Sequence, residues 1–338
     1  MASPSRHVPA LDGLRAVAVV LVLTWHEGVS VLAPLRGYLG VAVFFVLSGY
    51  LITTLLLAEE DRDGRVSLAA FAVRRAFRIL PLYVLALAVD VVLVEVLGRG
   101  ADPAVFAADL PYFLSFTNEF ATPGTFGHTW SLGVEEKFYV VWPLLLCGIA
   151  GLRRYRGAVA GVLLVAAVAA AWLPGASYLA LYAPILAGCV VAVAARDPRA
   201  RTAVTLLARP TVGAVVVVAA VLVGSTARDT HVHVGFGLLV ALTLPSLVAG
   251  RGPLARGLAH PALQWVGRRS YAVYLFAPAV ASAIALALPT PGVGRLLVVT
   301  ASTLLVAEVL HHTVERPLQQ RGRRWSSSRR PVPQAVTA

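Results

Sequence analysis

The sequence predicts an all-α, polytopic bundle of membrane helices. Three observations carry that reading. First, 58% of the 338 residues are hydrophobic, 14% are charged and the mean hydropathy is +0.77. A soluble domain carries about 25% charged and about 45–50% apolar residues. Second, the apolar residues gather in runs of roughly 20, the length that crosses a bilayer as a helix. Third, arginine is distributed unevenly among the segments between those runs. Together these exclude a soluble enzyme, a disordered chain and a collagen-like fibre. The net charge of +12 does not point to nucleic acid. No soluble basic domain exists to bind it, and basic loops report membrane orientation.

Ten stretches qualify as spans. The first, 11–33, follows Arg6 and His7 and lacks a small-residue cleavage site. It is expected to remain as a helix rather than leave as a signal peptide. The second, 38–58, is the run around Gly40–Thr53. The third, 77–97, begins at a cluster of Arg74, Arg75 and Arg78. The next apolar piece, 105–116, is interrupted by Asp109 and Pro111 and is too short to cross. It is read as a re-entrant or surface-lying segment within an outer loop, 98–133. Spans 134–151, 157–174, 177–195, 211–226 and 231–249 follow. Spans 271–289 and 293–314 close the bundle.

Charge supports this order. With both termini in the cytoplasm, the inner segments hold 23 arginines and the outer ones four, Arg36, Arg99, Arg228 and Arg295. Counting 105–116 as a full span would reverse every later loop, against the positive-inside bias. Residues 9–317 form one transmembrane domain, multipass in the plasma membrane. The basic segment 318–338 is expected to be a disordered cytoplasmic tail that touches anionic headgroups. No further domain is expected after the last span. Cys147 and Cys189 sit in apolar runs with neither metal nor disulfide spacing, so they read as small hydrophobic residues.

A few polar residues interrupt the apolar runs. Arg15 and His26 are eleven positions apart, which places them within about 20° around a helix and about 16 Å apart along it. Asp12 lies on the same side. Such groups in a membrane helix face an interior cavity by default and mark function. The plain alternative is an interfacial Asp12–Arg15 pair with His26 reaching outward. Glu308, His311, His312 and Glu315 share a face at the end of the last span. A solvated helix end explains them, and no metal is expected. Asp90 lies inside the third span and should face the interior.

These residues sit in motifs that resemble the acyltransferase-3 family of integral membrane O-acyltransferases. LDGLRAVAVV with its Arg-x10-His spacing, GVAVFFVLSGYLIT, FAVRRAFRILPLY, HTWSLGVEEKFYVVWP, SYAVYLFAPAV and VERP occur in the family's order. The resemblance implies transfer of an acyl group, often acetyl, from acyl-CoA to a hydroxyl of a glycan or of a macrolide-type small molecule. Arg15 and His26 match its Arg/Lys-x10-His motif, Arg75 and Arg78 its Arg-x-x-Arg motif, and Ser131 and Glu135 its Ser-Leu-x-x-Glu motif.

Local chemistry agrees with those roles. Guanidinium forks suit the phosphates of coenzyme A, so Arg74, Arg75 and Arg78 are candidates for holding its nucleotide end. A bare positive-inside signal is the alternative. Histidine titrates near neutral pH, which makes His26 the candidate general base. Arg15 would orient the pantetheine arm or pair with Asp12. Glu135 would orient His26 or contact the acceptor; the alternative is a helix start favoured by Ser131 and two carboxylates. Trp130 and Tyr139 suit either an interfacial belt or stacking on a sugar ring. Ser48 is a nucleophile by composition only, since no Gly-x-Ser-x-Gly elbow surrounds it. A Ser-Gly pair in a membrane helix more simply permits close packing. Direct transfer in a ternary complex is therefore expected.

Four positions depart from the family pattern: Ala42, Lys137, Phe276 and Ala277. They leave the His26 site intact and bear on acceptor choice. A transporter or flippase of a glycan or acyl donor, and an inactive scaffold, are the competing functions. The arginine motif, the Trp-Ser-Leu-x-x-Glu-Glu segment and the lack of repeat symmetry favour the enzyme.

Overall fold

A computed structural model describes residues 7–226 and 229–328. Among them every regular element is helical. That is the expected solution for a chain in lipid, because a helix satisfies its backbone polar groups internally.

Helix α1 is Pro9–His26, opened by a proline whose missing N–H costs nothing there. Helix α2, Gly40–Asp63, stops at Gly64, whose φ of 70° is left-handed. Helix α3, Leu68–Val91, is capped by the Ser67 hydroxyl, which accepts the Ala70 N–H at 3.2 Å. Helix α4, Pro103–Leu114, is capped by Asp102. Then follow α5, Trp130–Pro143, α6, Arg156–Ala170, α7, Ala183–Ala194, and α8, Pro210–Thr226. Helix α9, Thr230–Val248, is capped by Asp229. Helices α10, Pro261–Ile284, α11, Val293–Leu310, and α12, Arg316–Ser328, are the last of the longer helices among the described residues.

Six helical segments are long and apolar enough to cross a membrane: 9–26, 37–63, 68–96, 177–194, 230–248 and 293–326. A seventh forms if 198–207 and 210–226, bent by 74°, count as one broken span. The other apolar stretches fold into shorter or more polar helices. Helix α5 reaches Pro143 after 14 residues and opens into a wide turn, Leu144–Gly148. Helix α6 has 15 residues. Helix α10 is long, but its first half carries Gln264, Arg268 and Arg269. The twelve-residue α4 agrees with the short segment expected in the outer loop.

Small residues set the close approaches. A Cβ on Gly49 would lie 1.8 Å from the Ile185 carbonyl oxygen, and one on Gly188 would lie 2.1 Å from that of Val46. Helices α2 and α7 are thus in backbone contact, the close packing that small residues allow in membranes. Gly267 of α10 meets the Asp12 carbonyl of α1 in the same way, at 1.8 Å. The indole N–H of Trp142 donates to Thr53 Oγ1 at 2.8 Å and ties α5 to α2.

Both ends of the bundle are clamped by polar groups. At the end of α2, Glu59 pairs with Arg74 at 2.7 Å, Glu60 with Arg156 at 2.5 Å and Asp61 with Arg196 at 2.8 Å. At the opposite end, the loop after α4 is pinned through buried Asn118. Its amide donates to Tyr83 Oη at 2.7 Å and to Thr129 Oγ1 at 2.6 Å. Lys137 adds an ion pair to Glu119 at 2.5 Å.

The C-terminal segment differs from expectation. Helix α12 continues to Ser328 where a disordered tail is expected from 318. Gly322 of α12 lies against the Phe77 ring of α3, so packing on α3 supplies the order that composition does not. The remainder of that tail, 329–338, lies outside the described residues.

Candidate active site

Six of the nine sequence-predicted site residues come together in one narrow cavity near the start of α1. Arg15 from α1, Arg75 and Arg78 from α3, and Ser131, Glu135 and Tyr139 from α5 all line it. Ser48 of α2 and Ser270, Tyr271 and Tyr274 of α10 complete its polar lining. Its free volume is about 100 Å³. Ligand pockets usually measure about 300–1,000 Å³, so this is a slot for a thin chain rather than a chamber.

The slot is built around a closed triangle of hydrogen bonds. Ser48 Oγ donates to Glu135 Oε1 at 2.7 Å, and Tyr139 Oη donates to Glu135 Oε2 at 3.1 Å. The two hydroxyl oxygens are 3.0 Å apart. The α-helical i,i+4 spacing brings Glu135 and Tyr139 onto one face. The Arg75 guanidinium lies over the Tyr139 ring, 5.1 Å from its centroid. That cation–π contact leaves the guanidinium edge free for an anion. Arg15 is anchored from behind by Asp12 at 3.6 Å.

Arg74 does not join this group. Its guanidinium is taken by Glu59, whose second oxygen accepts the Ser67 N–H at 3.1 Å. Adjacent helix positions are about 100° apart. Arg75 and Arg78, three apart, face the slot, whereas Arg74 points to the end of α2.

His26 lies apart from Glu135, at the far end of α1. It lines two larger cavities together with His128 and Trp130. These measure about 580 and 450 Å³, within the range of ligand pockets. His26 Nδ1 is 2.8 Å from the Val22 carbonyl oxygen. A carbonyl only accepts, so Nδ1 carries a proton, and in the neutral imidazole Nε2 is the nitrogen with the lone pair. The expected contact of Glu135 with His26 is replaced by its bonds to Ser48 and Tyr139.

Three features escaped the sequence. Tyr271 and Tyr274 are three apart on α10 and both line the slot; the Tyr271 hydroxyl donates to the Ile79 carbonyl at 3.0 Å. Their spacing was visible, but an apolar helix gives no sign of which face meets α3. His128 stands 6.3 Å, ring to ring, from His26. His233 of α9 lines the smaller outer cavity, and neither its Nε2 nor that of His128 has a hydrogen-bond partner. Buried Asp90 lines the larger one. Among the described residues no cluster of three or more His, Cys, Asp or Glu could hold a metal ion.

Residues 8–312 match the family described as an acyltransferase domain. YrhL of Bacillus subtilis (strain 168), which carries a provisional designation as a peptidoglycan O-acetyltransferase, is 29% identical over 96% of this chain and 57% of its own. The peptidoglycan O-acetyltransferase OatA of Listeria monocytogenes is 26% identical over 94% of this chain and 56% of its own. The O-acetyltransferase OatA of Staphylococcus aureus is 32% identical over 43% of this chain and 26% of its own. The chain therefore spans a little over half the length of the first two relatives. No solved structure matches it.

Proposed function

The chain belongs to the acyltransferase domain family, and on that premise we propose that it is a membrane O-acyltransferase moving an acyl group, acetyl foremost, from acyl-CoA to a glycan hydroxyl. The observation that carries this reading is the division of the polar residues along α1. Arginines gather at the Arg15 end, and a base faces roomy cavities at the His26 end.

Arg75 and Arg78 hold the phosphates of the donor, and Arg15 guides the pantetheine arm along the slot. The slot's width suits that arm. Glu135 is a positioning residue that fixes Ser48 and Tyr139, and through Tyr139 the Arg75 guanidinium. In the larger cavities Trp130 offers a face for a sugar ring. The acceptor hydroxyl gives its proton to His26 Nε2 as its oxygen forms the C–O bond to the acyl carbon. The C–S bond breaks, and coenzyme A leaves as a thiol after protonation. The peptidoglycan designations of two relatives favour a glycan over a macrolide acceptor. Family membership favours chemistry over carriage by a transporter.

The arginine-rich slot faces the cytoplasm, where coenzyme A resides, and His26 faces the outer side of the plasma membrane. The 23-to-4 arginine bias supports cytoplasmic termini. All ten apolar stretches cross or enter the bilayer, the short ones as broken or half-spans.

Membranes containing the protein, supplied with acyl-labelled acetyl-CoA and peptidoglycan glycan strands, test the reading. Label is expected in an alkali-labile ester on the glycan. Label that crosses the membrane without entering an ester would identify a transporter instead. Failure to do either would identify a scaffold.

A further inference from the structure

The slot and the outer cavities share one side chain. Tyr274 lines the slot with Arg15 and Glu135, and it also lines the smaller outer cavity with His26, His128 and His233. Among the described residues no other lines both. The neighbouring wall is equally thin. Consecutive residues at the start of α5 line different spaces, Ser131 the slot and Trp130 the outer cavities.

The Tyr274 hydroxyl is held from two sides. It donates to the His128 carbonyl oxygen, and it lies 2.8 Å from Ser131 Oγ. Having given its proton to a carbonyl, it accepts from Ser131. Its ring packs edge-on against the His128 ring, centroids 5.5 Å apart, and His128 in turn packs against His26. The side chain is 7% exposed. A bolted aromatic plate therefore separates the space next to the arginines from the space next to the base.

We propose that Tyr274 is the partition across which donor and acceptor meet. This rests on the reading of the two compartments as donor and acceptor sites. The acyl carbon and the acceptor oxygen must reach bonding distance, so the ring swings aside when both are bound. At other times it keeps water of the outer cavities away from the thioester. Two hydrogen bonds hold it, and both are recovered on closing. Tyr274 is thus a positioning residue, and the acceptor side supplies the latch through the His128 carbonyl.

Accessibility tests this without acyl transfer. Ser48→Cys places a thiol in the slot, and Ser282→Cys places one in the larger outer cavity. Cys147 and Cys189 are buried and set the background. A membrane-impermeant methanethiosulfonate is applied to intact cells and to inverted vesicles. The preparation in which Ser282→Cys reacts identifies the face carrying the His26 end. From that face, Ser48→Cys is expected to react slowly, and several-fold faster when combined with Tyr274→Ala. Tyr274→Phe, which keeps the ring and loses both bonds, should give an intermediate rate. Unchanged reaction at Ser282→Cys in all backgrounds verifies the fold. Equal rates at Ser48→Cys with and without Tyr274→Ala would overturn the partition. Absence of ester formation in the labelled acetyl-CoA assay would instead sink the acyltransferase reading and leave this result standing.

Discussion

Arg74 and Arg75 are chain neighbours with opposite fates. Arg75 stacks on Tyr139 inside the slot, while Arg74 is bound to Glu59. Arg75→Ala should therefore raise the KM for acetyl-CoA by roughly 10–100-fold, the worth of a charge-assisted hydrogen bond of about 1.5–3 kcal/mol. Arg74→Ala should leave that KM unchanged and lower thermal stability. Steady-state kinetics on the two variants check the division. His128, in the loop between α4 and α5, gives a second prediction. Burial first, and then the neighbouring His26, push its imidazole down from 6.5 to about 3. The folded protein keeps it neutral while the unfolded chain takes a proton near 6.5. The contribution of His128 to stability is fully present above about pH 6.5 and is lost as the pH falls towards 3. Thermal unfolding in detergent should show this slope, and His128→Gln should flatten it.

The helices explain which parts of the site were legible in the sequence. Arg15 and His26 sit on one helix, so their shared face and separation followed from helical geometry alone. The slot and the outer cavities place them as that geometry requires. Contacts between helices were not legible in this way. Glu135 meets Ser48 because α5 packs against α2, and no periodicity in α5 carries that information, whereas its bond to Tyr139 follows from the i,i+4 spacing within α5. In the Ser48–Gly49 pair, Gly49 gives the close packing expected of it and admits α7, while Ser48 lines the slot bonded to Glu135. Gly188 completes that contact from the other helix. Gly188→Val would drive a side chain into the Val46 carbonyl. It should lower the unfolding midpoint of the purified protein and release α7 from α2, with loss of the slot. A mutation on the lipid face, such as Val162→Ala on α6, should leave the midpoint in place, since Val162 is 67% exposed.

For the molecule as a whole, hydropathy and arginine bias gave the class directly, an all-helical membrane protein. The number of complete crossings was less legible, because apolar composition does not fix helix length. Helix α5 carries Glu135, Glu136 and Lys137 and widens into a different turn after Pro143, and the break at 208–209 bends α8 away from the segment 198–207 by 74°. Order at the C-terminal end was hidden for a similar reason. Helix α12 has a basic, tail-like composition and is ordered by its contact with α3. What emerges is a bundle with a narrow arginine-lined slot near one end of α1, His26 in wider cavities at the other, and Tyr274 between them. The most direct test of that arrangement is the rate of ester formation from labelled acetyl-CoA by His26→Ala membranes with protein levels matched to the unmodified chain. The account predicts a loss of about 10²–10⁴-fold, the contribution of a general base. Ester formation at the full rate in His26→Ala would contradict it.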